Sequence, residues 1–122
     1  MPYTIEWKTS GVQTRFYGGV AGAEIISHSK EIQGDDRFDT IRFIVANFLD
    51  AQQVSITLDE VREIATLDSV AALSNPRVKV AVVSSSETVE AGGAIYKAGL
   101  ADSPWKTESF STLEEALEWI AE

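Results

Sequence analysis

The sequence predicts an α/β domain built on a mainly parallel five-stranded sheet, with elements in the order ββαβαβαβα. Three observations carry that prediction. The chain opens on apolar and polar residues in strict alternation, two later segments are almost continuously apolar and β-branched, and segments with apolar residues at helical spacing separate them. A strand, a helix and a further strand join by a right-handed crossover, so only the first strand is expected to run against its partner.

Tyr3, Ile5 and Trp7 alternate with Thr4, Glu6 and Lys8, and Val12, Thr14 and Phe16 repeat the pattern after "TSG", which predicts a β-hairpin. From Ala21 to Gln33 the spacing becomes helical through Ile25, Ile26, Ser29 and Ile32, and it ends at Gly34 and the loop "DDRFD". "IRFIVANFL", Ile41 to Leu49, reads as a central strand, and "VKVAVV", Val78 to Val83, as its neighbour. Between them Thr57 to Ser74 is helical and is closed by "NP". Glu87 to Leu100 forms the next helix, Lys106 to Phe110 the last strand, and Leu113, Ala116, Leu117 and Ile120 the buried side of a C-terminal helix.

The 122 residues suffice for one core and not for two ordinary domains, so residues 1–122 are read as a single domain. Apolar residues make up 44% and charged residues 24%, which is globular usage. A formal charge of −9 opposes binding to nucleic acid or to anionic lipid. The chain has no cysteine, hence no disulfide and no thiolate chemistry, and "MPYTIEWKTS" has no basic region followed by an apolar run. A cytoplasmic protein is expected.

The junction "NFLDAQQVSITLDEV" has a local explanation. Thr57 followed by Glu60 forms a capping box, a device repeated at Thr112 and Glu115. Such a cap stabilises by about 1 kcal/mol, which is reason enough for Thr57.

Asp68 is the anomaly. At about 100° per residue it falls near the middle of an apolar face formed by Val61, Ile64, Ala65, Ala71 and Ala72, where a bare carboxylate is costly. Either it is paired, with Arg42 as a candidate, or it faces a gap in the helix packing open to water, or it is the polar anchor of a ligand cavity that also involves Tyr96, Ile64 and Ser84. "SSSE", Ser84 to Glu87, starts a helix after a parallel strand, a position suited to capping and secondarily to an anion. "YGGVAG" does not match a dinucleotide loop, because Tyr17 stands at the first glycine position; its glycines suit a tight strand-to-helix turn. His28 is read as a surface or interface residue. Asp35, Asp36 and Asp39 are read as a solvated loop, since no EF-hand spacing follows, and no metal site is expected.

The element order, with "RFDTIRFIVANFLD", "EVREIATLDSVAALSNP", "VKVAVV" and "SPWKTESFSTLEEALEWI", resembles the SpoIIAA-like proteins over essentially the whole chain. That bacterial group shares its fold with STAS domains, the anti-sigma-factor antagonists, and is discussed alongside CRAL-TRIO lipid carriers. The resemblance implies a β-α superhelix with strands in sequential order, helices mostly on one face and no cofactor. In the antagonists a serine in an Asp-Ser-Ser type motif is phosphorylated at the start of the helix after the third strand. Here that place holds Ser55 and Thr57 and no Asp-Ser pair, so the switch does not carry over directly; both remain candidate phosphosites. Asp59 and Glu60 beside them would repel a phosphate.

If the helices lie mainly on one face, the other face is expected to be left partly open. The alternate sets Arg42, Ile44, Ala46, Phe48 and Lys79, Ala81, Val83 were candidates for that face, with Ile95 and Trp119 as further contact surface. Ile44, Phe48 and Trp119 are therefore candidate interface residues, and a homodimer is the expected assembly. The leading functional expectation is a non-enzymatic STAS-like regulatory or protein-interaction module that binds a protein partner or itself. The alternative is a carrier or sensor of a small apolar or lipid-like ligand held between helices and sheet. An enzyme ranks last, since no nucleophile, base or metal cluster assembles from nearby positions. Transient membrane contact through an opened helix stays open, with the negative charge against it on acidic lipids.

Overall fold

In the computed structural model, which describes residues 2–122, the expected order is present: β1 (Tyr3–Trp7), β2 (Gly11–Ala21), α1 (Gly22–Gln33), a 3-10 turn (Asp36–Thr40), β3 (Phe43–Ser55), α2 (Leu58–Ser74), β4 (Lys79–Val83), α3 (Glu87–Gly99), β5 (Lys106–Phe110) and α4 (Leu113–Ala121). The strands lie side by side in chain order, β1 antiparallel to β2 and all other pairs parallel. Such a sheet follows from crossovers of one hand that each advance by one strand.

α1, α2 and α3 cover one face, with α2 packed between the other two, and α4 crosses β3, β4 and β5 on the opposite face. The expectation of an open apolar face is corrected by the register. Ile44 stands opposite Val80 and Val45 opposite Ala81, so the two sets drawn from the sequence belong to different faces. Ile44 and Phe48 are buried beneath α1–α3, whereas Val45, Ala81 and Val83 are fully covered with Ala116 of α4. Ile44 and Phe48 are therefore not available as an interface. Alternation within each strand does not fix which sets share a side, because that depends on the stagger between strands. Where α4 does not reach, β1 and β2 present Thr4, Glu6 and Arg15, with Arg15 paired to Asp50 at 2.6 Å. Leu117, expected on the buried side of α4, is 42% exposed; the helix docks through Ala116 instead.

Two strands run further than the sequence pattern indicates. β3 continues past Leu49 to Ser55 because β2 continues beside it, pairing through Ala21 with Ser55. "YGGVA" therefore lies in the strand and not in a turn. The register shifts between Arg15 and Tyr17 and between Gly18 and Gly19, where Gly18 has a φ of 67° that a side chain would strain.

The connection from α1 to β3 is held by one side chain. Asn75, 2% exposed, donates from Nδ2 to the carbonyls of Phe38 and Ile41, each at 2.8 Å, while the Trp105 indole donates to the Asn75 carbonyl at 2.6 Å. Replacing Asn75 with alanine removes both of these buried bonds, at about 0.5–1.5 kcal/mol for each, while the Ile41 carbonyl keeps its bond from Arg42 at 3.0 Å and the Phe38 carbonyl a longer one from the Ile41 amide at 3.4 Å. Urea unfolding of Asn75→Ala is expected to show a loss of about 1–3 kcal/mol, with Asn75→Asp, which lacks the donor, no better.

Candidate functional site

Between the sheet and the three-helix layer lies a cavity of about 110 Å³. Small residues line it, Ala46 on β3 and Gly92 and Gly93 on α3, and leave space that Ile44, Phe48, Ile64, Val80 and Val82 do not fill. The deep end is buried, while half-buried Ile25, Val54 and Ile56 and exposed Thr88 surround a mouth at the carboxyl ends of the strands. The junction from Val54 to Val61 thus forms part of that rim.

Asp68 sits on the apolar stripe of α2, 7% exposed, and is paired. Its Oδ2 accepts from the Tyr96 hydroxyl of α3 at 2.5 Å and its Oδ1 from Gln33 Nε2 at the end of α1 at 2.6 Å. One carboxylate thereby bonds to both flanking helices. Arg42, the expected partner, instead donates to the carbonyls of Thr40 and Ile41. Burial pushes the Asp68 carboxyl up to about 6, although the two hydrogen bonds pull it down. Burial and the adjacent carboxylate raise the Tyr96 phenol as well.

His28, one member of a second buried polar pair, lines the same space. His28, read from sequence as a surface residue, is 5% exposed and shares a hydrogen bond of 2.6 Å with Thr14 Oγ1, packed against the rings of Tyr3 and Phe16. Its position three residues after Ile25 and four before Ile32 is the signal that places it on the inner stripe. Burial pushes the imidazole down to about 4, so it is neutral at physiological pH. Nothing in the sequence singled out Gln33, which is ordinary on a surface, whereas Thr14 shares its alternate set with Val12 and Phe16 and so its burial was legible.

Of the four residues expected around a ligand, Asp68, Tyr96 and Ile64 converge on the cavity and Ser84 does not. Ser84 lies at the end of β4 in a separate depression, where its hydroxyl accepts from the Ser86 amide and Ser86 in turn caps α3. Ser55 ends β3 and is exposed. Thr57 is the cap of α2: its Oγ1 accepts from the Glu60 amide at 3.1 Å, and Glu60 Oε1 accepts from the Thr57 amide at 2.9 Å. A phosphate on Thr57 would displace that cap. Trp119 packs on the protein itself, its ring 5.6 Å from Phe110 and beneath the Lys79 ammonium at 5.2 Å. Ile95, Val70 and Leu73 are exposed by 39%, 62% and 86% and border a groove between the outer faces of α2 and α3. The helices come close there, since a Cβ on Gly99 would stand 2.9 Å from that of Ala65. Among the described residues, no group of three or more His, Asp or Glu is placed to hold a metal ion, and no helix is long and apolar enough to cross a membrane.

The architecture has counterparts among solved structures. The anti-sigma factor antagonist SpoIIAA, in its unphosphorylated form, superposes with a TM-score of 0.61 at 15% identity, over 98% of this chain and 97% of that one. An uncharacterised DUF3478 protein with a SpoIIAA-like fold from Shewanella loihica PV-4 superposes with a TM-score of 0.50 at 14% identity, over 97% and 91%. The fold is SpoIIAA-like. No family model matches the sequence, and no curated protein matches it. At these identities the likeness concerns the fold, and the cavity residues have to be interpreted from this chain alone.

Asp68 and His28 make opposite contributions to acid stability. The folded Asp68 value of about 6 lies above its ordinary 3.8, so its contribution is full below about 4 and is lost as pH rises through about 6. The folded His28 value of about 4 lies below its ordinary 6.5, so its contribution is full above 6.5 and is lost as pH falls through about 4. The slopes oppose each other between about 4 and 6. Asp68→Asn is expected to remove one of them, making urea midpoints fall more steeply on acidification across that window than in the wild type; parallel profiles would show that Asp68 does not titrate there.

Proposed function

We propose that the protein is a non-enzymatic regulatory or protein-interaction module of the STAS-like kind. The observation that carries this reading is the outer face of α2 and α3, where Val70, Leu73 and Ile95 are exposed together beside the small residues Ala65, Ser69 and Gly99. Side chains this apolar lose favourable burial energy by facing water, and a contiguous set of them on adjoining helices is a docking surface more often than a random occurrence. The fold is consistent with that role, since an anti-sigma factor antagonist has the same architecture. The net charge of −9 favours a partner whose contact rim is basic.

Self-association through the same face belongs to this reading and replaces the sheet face considered earlier. Two copies meeting there would bury Leu73 against its counterpart, with the helix faces related by a two-fold axis. The protein works in this view by being bound, with α2 as the element that a partner touches.

A second reading rests on the cavity. It takes a small apolar ligand, and the protein is then a sensor whose three-helix layer closes over that ligand. At about 110 Å³ the space is well below the roughly 300–1,000 Å³ of ordinary ligand pockets, which counts against a lipid-like cargo.

The double variant Val70→Glu/Leu73→Glu separates these readings. Sedimentation of the wild type is expected to show a concentration-dependent dimer, or native purification to recover a stoichiometric partner, either of which the variant loses while its circular dichroism is unchanged. A wild type that stays monomeric and partner-free, or an assembly that survives both glutamates, removes the α2–α3 face from consideration.

A further inference from the structure

The cavity holds two kinds of surface that have to be weighed against each other. Six polar side chains line it: Asp68 is engaged with Tyr96 and Gln33, and His28 with Thr14 behind it, while half-buried Ser29 and exposed Thr88 complete the polar lining. No buried side-chain nitrogen or oxygen among the described residues lacks a hydrogen-bond partner. The remainder of the wall is hydrocarbon from Ile44, Ala46, Ile64, Val80 and Val82, with the ring of Phe48. A ligand that presented a charge or a strong donor here would have to break one of these buried bonds, at a loss that a single new contact does not recover.

Size limits the ligand further. A dry cavity of about 150 Å³ walled by aliphatic and aromatic side chains accepts benzene. The space here, about 110 Å³ with a mouth beside Ile25, Val54, Ile56 and Thr88, is close to that scale and far short of an acyl chain's length.

We infer that this cavity is a binding site for a compact, uncharged, hydrocarbon-like molecule of about one ring, and that the Gln33–Asp68–Tyr96 bridge is its roof and not its anchor. The inference rests on the ligand reading above and names the chemical class. Asp68 then keeps α1, α2 and α3 together over the site, while contact with the ligand comes from the sheet and from the glycine surface of α3. Ala46 is the specificity-determining position, because its methyl leaves room on the floor that a larger side chain would occupy.

The test uses the full chain labelled with 15N and titrated separately with toluene, benzylamine and dodecanol. Toluene is expected to produce saturable amide shifts at Ala46, Ile64, Val82 and Gly92, with benzylamine and dodecanol producing none. Ala46→Leu is expected to abolish the toluene shifts while retaining a dispersed spectrum. If that variant unfolds, Ala46→Val provides the same comparison with less added volume.

Saturable shifts with benzylamine that disappear in Asp68→Asn would overturn the assignment in favour of a cation held by the carboxylate, and shifts with dodecanol would overturn it in favour of a chain. Either result preserves the ligand reading. No saturable shift with any of the three, or toluene shifts that survive a filled Ala46 position, would overturn the site itself.

Discussion

A carboxylate buried among hydrocarbon has to be hydrogen-bonded, and meeting that requirement at Asp68 determines how the helix layer sits on the sheet. The residue lies on α2, its two donors lie on α1 and α3, and both bonds are short. α2 cannot shift along the sheet without breaking one of them. The cavity beneath depends on that arrangement, because Ala46, Gly92 and Gly93 leave space that a freely sliding helix would settle into.

The same constraint divides the molecule into two surfaces of different character. Inward, the three helices enclose a largely apolar space whose buried polar side-chain atoms are all hydrogen-bonded among the described residues. Outward, α2 and α3 expose Val70, Leu73 and Ile95 at a place where the close approach of Gly99 to Ala65 holds the two helices together. A rigid helix pair with an apolar outer face and a space beneath it can report the state of one side to the other, provided that filling the cavity changes the tilt of α2. The energy available for such coupling is bounded by the difference in ligand affinity between the two helix positions. α4, on the far face, is separated from this by the sheet and completes the core through Ala116 alone among its fully buried residues.

Several features were legible because they rest on local periodicity. The alternation at Tyr3, Ile5 and Trp7, the helical stripe through Val61, Ile64 and Ala65, and the Thr57–Glu60 cap each depend on residues a few positions apart. Asp68 stood out for the same reason, as a charge where the helical period required an apolar group. His28 sat on an equally regular stripe and was assigned to the surface, since a histidine at the margin of an apolar face is compatible with either side. Asn75 gave no sign of its role, because the carbonyls it bonds belong to Phe38 and Ile41, far away in the chain.

The chain's periodicities and caps determined its element order, the parallel sense of its sheet and the anomaly of one carboxylate, all of which follow from spacings shorter than a few helical turns. Tertiary structure alone decided which alternate set of β3 meets which set of β4, and so sent Ile44 and Phe48 inward. It also decided that Gln33 and Tyr96 satisfy Asp68 and that small residues on β3 and α3 border a cavity. Those outcomes depend on stagger between strands and on the meeting of side chains from separate helices, and neither quantity is encoded in any single stretch of sequence.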